Sequence, residues 1–444
     1  MKAFGNIAKD GQVRAVASGA LTDGKAVIVN SNGTVSVVAS TGSATQALGS
    51  DSVFESATVS ETMSAYDTTN NKVVIAYRDG GNSNYGTAVV GTVSGTSISF
   101  GSPSTFNTSG YTADISIAFD ATAEKFVISY RDNGNSNYGT AIVGTVSGTS
   151  ISFGTEAVFK SNQCQYTSLV YDSSAGKVVL AYLDDGSPQQ GAATVCTISG
   201  TSISFGSDTV FESANIRYTK AAYDANAQKI VVAYRDQGNS NYGTAVVGTV
   251  SGTSISFGTP VVYYAGNVLF LANAYDSVAQ KVVISYRDAG NSNYGTAVVG
   301  TVSGTSISFG TPVVFESSLS QRMNSTFDAT AKKIVTAFQA LPDQGYVVSG
   351  KVSGTTITFD TPLEFKDAES VDMSAVYDPD SGKVVLAYRD HGNNQYGTAN
   401  VFTTGYSESN ITSENFIGFS DGAFATTQSA AINTANTIDR NQSG

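Results

Sequence analysis

One nine-residue phrase recurs with side chains that could hold a ligand. RDGGNSNYG (78–86), RDNGNSNYG (131–139), RDQGNSNYG (235–243), RDAGNSNYG (287–295) and RDHGNNQYG (389–397) each bring an arginine, an aspartate, an asparagine and a tyrosine. These are Arg78, Asp79, Asn82 and Tyr85; Arg131, Asp132, Asn135 and Tyr138; Arg235, Asp236, Asn239 and Tyr242; Arg287, Asp288, Asn291 and Tyr294; and Arg389, Asp390, Asn393 and Tyr396. Arginine and asparagine offer planar hydrogen-bonding groups and tyrosine a flat apolar face, a combination that suits sugar hydroxyls and rings. The same residues read equally as turns, with Arg and Asp pairing locally and Gly-Asn shaping the backbone. A cation site is a third reading, weakened because each loop supplies one carboxylate where calcium gathers several. Two stretches in the series depart from the phrase, LDDGSPQQG (183–191) and QALPDQGYV (339–347).

Other chemistry is sparse. The single histidine, His391, occupies the variable position of its loop, reads as a solvated loop residue and has no second His or Cys nearby to complete a metal set. Cys164 and Cys196 are too few for a disulfide scaffold and read as buried free thiols. No GxSxG, HExxH, phosphate-binding or dinucleotide fingerprint is present. We therefore expect no cofactor, no metal and no catalysis.

The loops sit inside a longer repeat. Seven versions of KVVIAYRD place an aromatic residue at Tyr77, Tyr130, Tyr182, Tyr234, Tyr286, Phe338 and Tyr388, about every 52 residues. Each is preceded by an aromatic–Asp pair, whose aspartates are Asp67, Asp120, Asp172, Asp224, Asp276, Asp328 and Asp378. An aspartate entering a turn accepts hydrogen bonds from backbone N–H groups just ahead of it, which accounts for these without a functional role. KVVIAY is apolar on both faces, as a strand buried on both sides must be. With YGTAVVGTV and TSISFG after it, each repeat reads as four short antiparallel strands. That period and strand count predict an all-β, seven-bladed propeller.

The seventh repeat, YGTANVFTTGYSES, lacks TSISFG, while ALGSDSVFES (47–56) matches SFGSDTVFES (204–213). The N-terminal segment is therefore expected to supply the missing strand of the last blade and close the propeller. Closure would bring the flanks together, so residues 1–44, with the Asn32-Gly33 turn in GKAVIVNSNGTVSVV, and 404–444 are expected to form one small docking β-domain beside a propeller at 45–403.

A net charge of −12 and the lack of Lys/Arg clusters argue against nucleic acid. No stretch is apolar enough to span a membrane, and MKAFGNIAKDGQVRAV does not resemble a signal peptide.

The order of phrases resembles the repeats of sialidase-like propellers, but their S-x-D-x-G-x-T-W box is replaced here by VSGTSISFG, and the arginines fall at one repeated position. The wording AYRDGGNSNYGTAVVGTVSGTSISFG, over residues 54–400, resembles proteins of tailed bacteriophages from aquatic bacteria, and the flanks resemble small β-domains of virion proteins. That resemblance implies a non-enzymatic protein on the virion surface, serving host attachment as a tail fibre or adhesin, or capsid decoration. It would be a homo-oligomer or multi-copy component, contact other virion proteins through the terminal β-domain, and meet host polysaccharide through the loops. The alternatives are a bacterial extracellular glycan-binding propeller and a glycan-cleaving enzyme.

Overall fold

The computed structural model describes residues 12–21, 26–38, 40–41, 45–406, 408–409, 416–420 and 429–433, and divides into two compact units. One unit spans Met1–Thr45 and Gly405–Gly444, the other Gln46–Thr404. The first unit holds a five-stranded sheet to which both ends of the chain contribute. Gln12–Val16 pairs with Ser429–Asn433, which pairs with Phe416–Ser420, then Ala26–Val29, then Val35–Val37. The Asn32-Gly33 turn joins the last two strands, with Gly33 at φ +81°, a conformation glycine adopts without steric cost. The remainder of the 411–444 stretch expected as strands lies outside the described residues, as do residues 1–11.

The second unit is all-β and of the propeller type. In each repeat an inner strand pairs with the KVVIAYRD strand, and that strand with the YGTAVVGTV strand; in repeat three these are Ala157–Asp172, Lys177–Asp184 and Gln190–Ser199. A four-residue outer strand follows in repeats one to six, here Ser202–Phe205. The KVVIAYRD strand is apolar because it is sandwiched: Tyr77, Tyr130, Tyr182, Tyr234, Tyr286, Phe338 and Tyr388 are all completely buried. Burial of a side chain of that size contributes about 2 kcal/mol. Tyr77, Tyr234 and Tyr388 keep their hydroxyls satisfied by donating to Glu55, Glu212 and Asp51.

The outer and inner strands are less separate than the sequence suggests. Five strands run 16 residues and serve two neighbours in succession. The first half of Ala157–Asp172 pairs with Tyr138–Ser147 of repeat two, and the second half with Lys177–Asp184 of repeat three. The turn phrases could not reveal this handover, because in four of the five runs no glycine or proline marks the middle; only Val261–Asp276 carries one, Gly266.

The N-terminal segment pairs with the last repeat. Leu48 and Ala47 lie opposite Phe402 and Thr403, and Ser52–Thr58 runs along Tyr396–Ala399. The glycine of YG has a packing reason: a Cβ on Gly86 would stand 2.2 Å from the Phe106 ring, and one on Gly397 would stand 2.3 Å from Phe54. The inner strand of repeat seven lies against that of repeat one, as each inner strand does against the next. Hydrogen bonding nevertheless divides the second unit into a 21-stranded and a nine-stranded sheet and gives no single closed sheet.

Candidate binding site

The inner strands carry the same irregularity in every repeat. Pairing with the KVVIAYRD strand skips two residues, as between Ser60 and Met63, and the first skipped residue is left-handed. These residues are Glu61, Asp114, Tyr166, Tyr218, Phe270, Arg322 and Asp372, with φ between 49° and 57°. None is glycine, and a left-handed non-glycine residue costs roughly 1–2 kcal/mol. A β-bulge re-aims a side chain in this way. All seven line a single pocket of about 240 Å³, below the roughly 300–1,000 Å³ of drug-sized sites and of a size for a single sugar or the end of a chain. Strained residues of this kind gather at ligand sites.

The wall is not symmetric. Tyr166, Tyr218 and Phe270, from repeats three to five, form a continuous aromatic stretch with ring centroids 5.5 and 5.4 Å apart. Repeats six, seven, one and two contribute Arg322, Asp372, Glu61 and Asp114. Here the loop arginines turn toward the inner strands. Arg131 Nε is 2.9 Å from Asp114, Arg389 is 3.2 Å from Asp372, and Arg78 is 3.9 Å from Glu61. Glu61 faces the cavity but is enclosed by protein around it. Burial first, then the carboxylates of Asp114 and Asp372, raise its pKa to about 7 against the pull of Arg78 and Arg131. Burial likewise raises Asp114, opposed by the Tyr166 N–H and by Arg131. Thr62, Thr167, Thr219 and Lys220 form part of the deeper lining, and burial lowers the Lys220 pKa.

The five loops divide their side chains between two tasks. The aspartates are buried, and Asp79, Asp132, Asp236 and Asp288 accept hydrogen bonds from backbone N–H groups two or three residues on. Asp390 instead meets Lys366 Nζ at 2.7 Å. Paired left-handed residues follow in each loop, such as Ser83-Asn84 and Asn394-Gln395, so the wording NSN satisfies the backbone first. Asn82, Asn135, Asn239 and Asn291 are exposed; Asn393 and the tyrosines Tyr85, Tyr138, Tyr242, Tyr294 and Tyr396 are half-buried. The arginines thus belong with the pocket wall and the aspartates with the turn. His391 is half-buried rather than solvated, with Nδ1 3.0 Å from Glu369. Cys164 and Cys196 are buried free thiols. Among the described residues no group of three or more His, Cys, Asp or Glu is placed to hold a metal, and no helix is long and apolar enough to cross a membrane.

The pocket wall was missed in the sequence, although a signal existed. Each left-handed residue stands 16 positions before the buried aromatic of its own repeat, and the types there are Glu, Asp, Tyr, Tyr, Phe, Arg and Asp. A position that changes at constant offset in an otherwise copied repeat marks where the copies differ in task.

No family model matches the chain, and no curated protein matches it. Solved structures do. A lectin, BP39L from Burkholderia pseudomallei, superposes with a TM-score of 0.57 at 9% identity, covering 81% of this chain and 99% of that one. A chain of the mitotic checkpoint complex gives 0.51 at 11% identity over 80% and 93%. Both likenesses are in fold alone. A leech intramolecular trans-sialidase reaches a TM-score of 0.44 at 10% identity, over 80% of this chain and 68% of that one, too loose a match to argue from. None of these three is a bacteriophage protein.

Proposed function

We propose that this chain is a non-catalytic carbohydrate-binding propeller whose site is the pocket between the inner strands. The observation that carries this is the wall itself: three adjoining aromatic rings face four charged planar groups across a small cavity. Aromatic faces stack on the apolar faces of sugar rings, and carboxylates, guanidiniums and threonine hydroxyls take the ring hydroxyls. That the structural neighbour from Burkholderia pseudomallei is a lectin agrees with this reading. The same reading takes the second unit as seven blades, with the segment at 47–54 as the outer strand of the last. Support comes from its pairing with Tyr396–Thr403 and from Phe54 against Gly397.

The test is a glycan array read with wild type, with Tyr218→Ala, and with a variant changing Tyr85, Tyr138, Tyr242, Tyr294 and Tyr396 to Ala. Wild type should bind, Tyr218→Ala should lose about thirty-fold or more, as truncation of a central anchor does, and the five-fold variant should bind as wild type. Loss in the five-fold variant alone would move the site to the loops. Absence of any glycan bound by wild type would end the proposal. For closure, deletion of residues 1–53 should melt the whole second unit at lower temperature by baring the edge of Tyr396–Thr403; unchanged melting would contradict it.

Glycoside cleavage has one observation in its favour, the Glu61 carboxyl raised toward neutrality beside two other carboxylates, as a general acid requires. Asp114 and Asp372 are already engaged by Arg131 and Arg389, which ties up the partner such a reaction needs. Release of new reducing ends from any bound glycan, abolished by Glu61→Gln, would replace the binding reading with this one. The virion setting implied by the repeat wording is a further proposal, tested by imaging the particle or by its absence from one.

A further inference from the structure

The arginines around the pocket fall into two groups. Arg78, Arg131 and Arg389 each face a carboxylate. Arg217, Arg235 and Arg287, which flank the aromatic stretch, have no carboxylate within ion-pairing distance among the described residues. Arg217 and Arg235 lie directly opposite each other on paired strands, where like charges repel. Arg217 donates to the Tyr166 hydroxyl at 2.9 Å, Arg287 stacks on Phe270 with its guanidinium carbon 4.7 Å from the ring centroid, and Arg235 lies near both Arg217 and Arg287. The Nε atoms of Arg235 and Arg287 are buried without a hydrogen-bond partner, as are those of Arg78 and Arg389, so the two groups differ in counter-charge and not at that atom. Arg217 also donates from Nε to Gln237 and Arg287 to Gln321, neutral partners that leave the charge in place, so three guanidiniums gathered without a carboxylate constitute a cost that a bound anion would remove.

We propose that the aromatic side of the pocket receives an acidic sugar, its ring on Tyr218 and Phe270 and its carboxylate or sulfate on Arg217, Arg235 and Arg287. This rests on the carbohydrate-binding reading and adds the class of sugar. Selectivity follows from the geometry: an acidic group turned to the opposite wall meets Glu61, Asp114 and Asp372, with Arg322 already 3.8 Å from Asp372, whereas here it meets cations without a carboxylate partner. The acid thereby fixes which way round the sugar sits.

The test uses the full chain and four probes: polygalacturonate, its carboxyl-reduced neutral product, heparin, and desulfated, N-acetylated heparin with its carboxylates reduced. Binding by calorimetry should favour at least one acidic probe over its neutral counterpart by tenfold or more, and the preference should shrink as salt rises from about 50 to about 300 mM. Arg235→Gln combined with Arg287→Gln should remove the preference but keep neutral-level binding, while Tyr218→Ala should weaken acidic and neutral probes alike. Lys281→Gln, at the far end of the Lys281–Asp288 strand, controls for net charge and should change nothing. Equal binding of acidic and neutral probes, or a preference that survives the double variant, overturns the acidic assignment and leaves carbohydrate binding standing. If none of the four probes binds, the acidic assignment falls, and carbohydrate binding stands or falls on the glycan array.

Discussion

The walls of the pocket formed by repeats three to five and by repeats six, seven, one and two share one backbone and differ in what fills it. Both use the same bulge, with the same left-handed residue at its head. On the second wall, Glu61, Asp114 and Asp372 draw Arg78, Arg131 and Arg389 into pairs, so charge is settled within the protein. On the first, tyrosine and phenylalanine occupy the slot and leave Arg217, Arg235 and Arg287 unanswered. In repeats one, two and seven a carboxylate in the slot pairs with the copied arginine of the same repeat, and in repeats four and five an aromatic residue there leaves Arg235 and Arg287 without one.

The largest expected contrast is in stability. Arg131→Ala strands Asp114, a half-buried carboxylate, and should cost about 1–3 kcal/mol. Arg235→Ala removes the like-charge neighbour of Arg217 and should be neutral or mildly stabilising. Chemical denaturation of the two variants side by side checks this; equal losses would erase the distinction between the walls.

A smaller effect depends on pH. The Glu61 carboxyl ionises near 7 in the folded chain, above the ordinary 4.5 that it regains on unfolding. Its protonated form therefore favours folding fully below about 4.5, and that contribution is lost as pH rises through about 7. Glu61→Gln should accordingly melt higher than wild type at pH 8, with the difference closing by pH 4. A gap that widens on acidification would show instead that the pair with Arg78 dominates.

The smallest effect isolates the backbone. Glu61→Gly should exceed Glu61→Gln in stability by about 0.5 kcal/mol at pH 8, the relief of a left-handed residue less the entropy glycine adds to the unfolded chain. No gain would mean that the bulge holds φ at no cost.

Much of the scaffold was legible because repetition multiplies a weak signal. The apolar run of KVVIAY, the aromatic–Asp pairs and the NSN turns each have a local physical reason visible in the residues: burial on both faces, Asp67 accepting from Thr69 and Asn70, and adjacent left-handed residues at Ser83 and Asn84. The site was less legible for the same reason. Attention to what the copies share led to Asp79 and Asn82, which fold the loop, and away from Tyr166, Tyr218 and Phe270, which differ between copies. Nor could hydrophobic period show that Arg78 leaves its neighbour Asp79 and leans toward Glu61, since that depends on a bulge in another strand.

The strands that serve two repeats in turn have a consequence for cutting the chain. Ala157–Asp172 is bonded to repeat two by its first half and to repeat three by its second, so neither repeat is held by a single peptide link. A nick in an exposed loop such as 80–84 would leave both new ends laced into sheets on either side. The covalent order of this molecule is thus partly redundant with its hydrogen bonds, and a circular permutant opened at such a loop should keep the pocket intact.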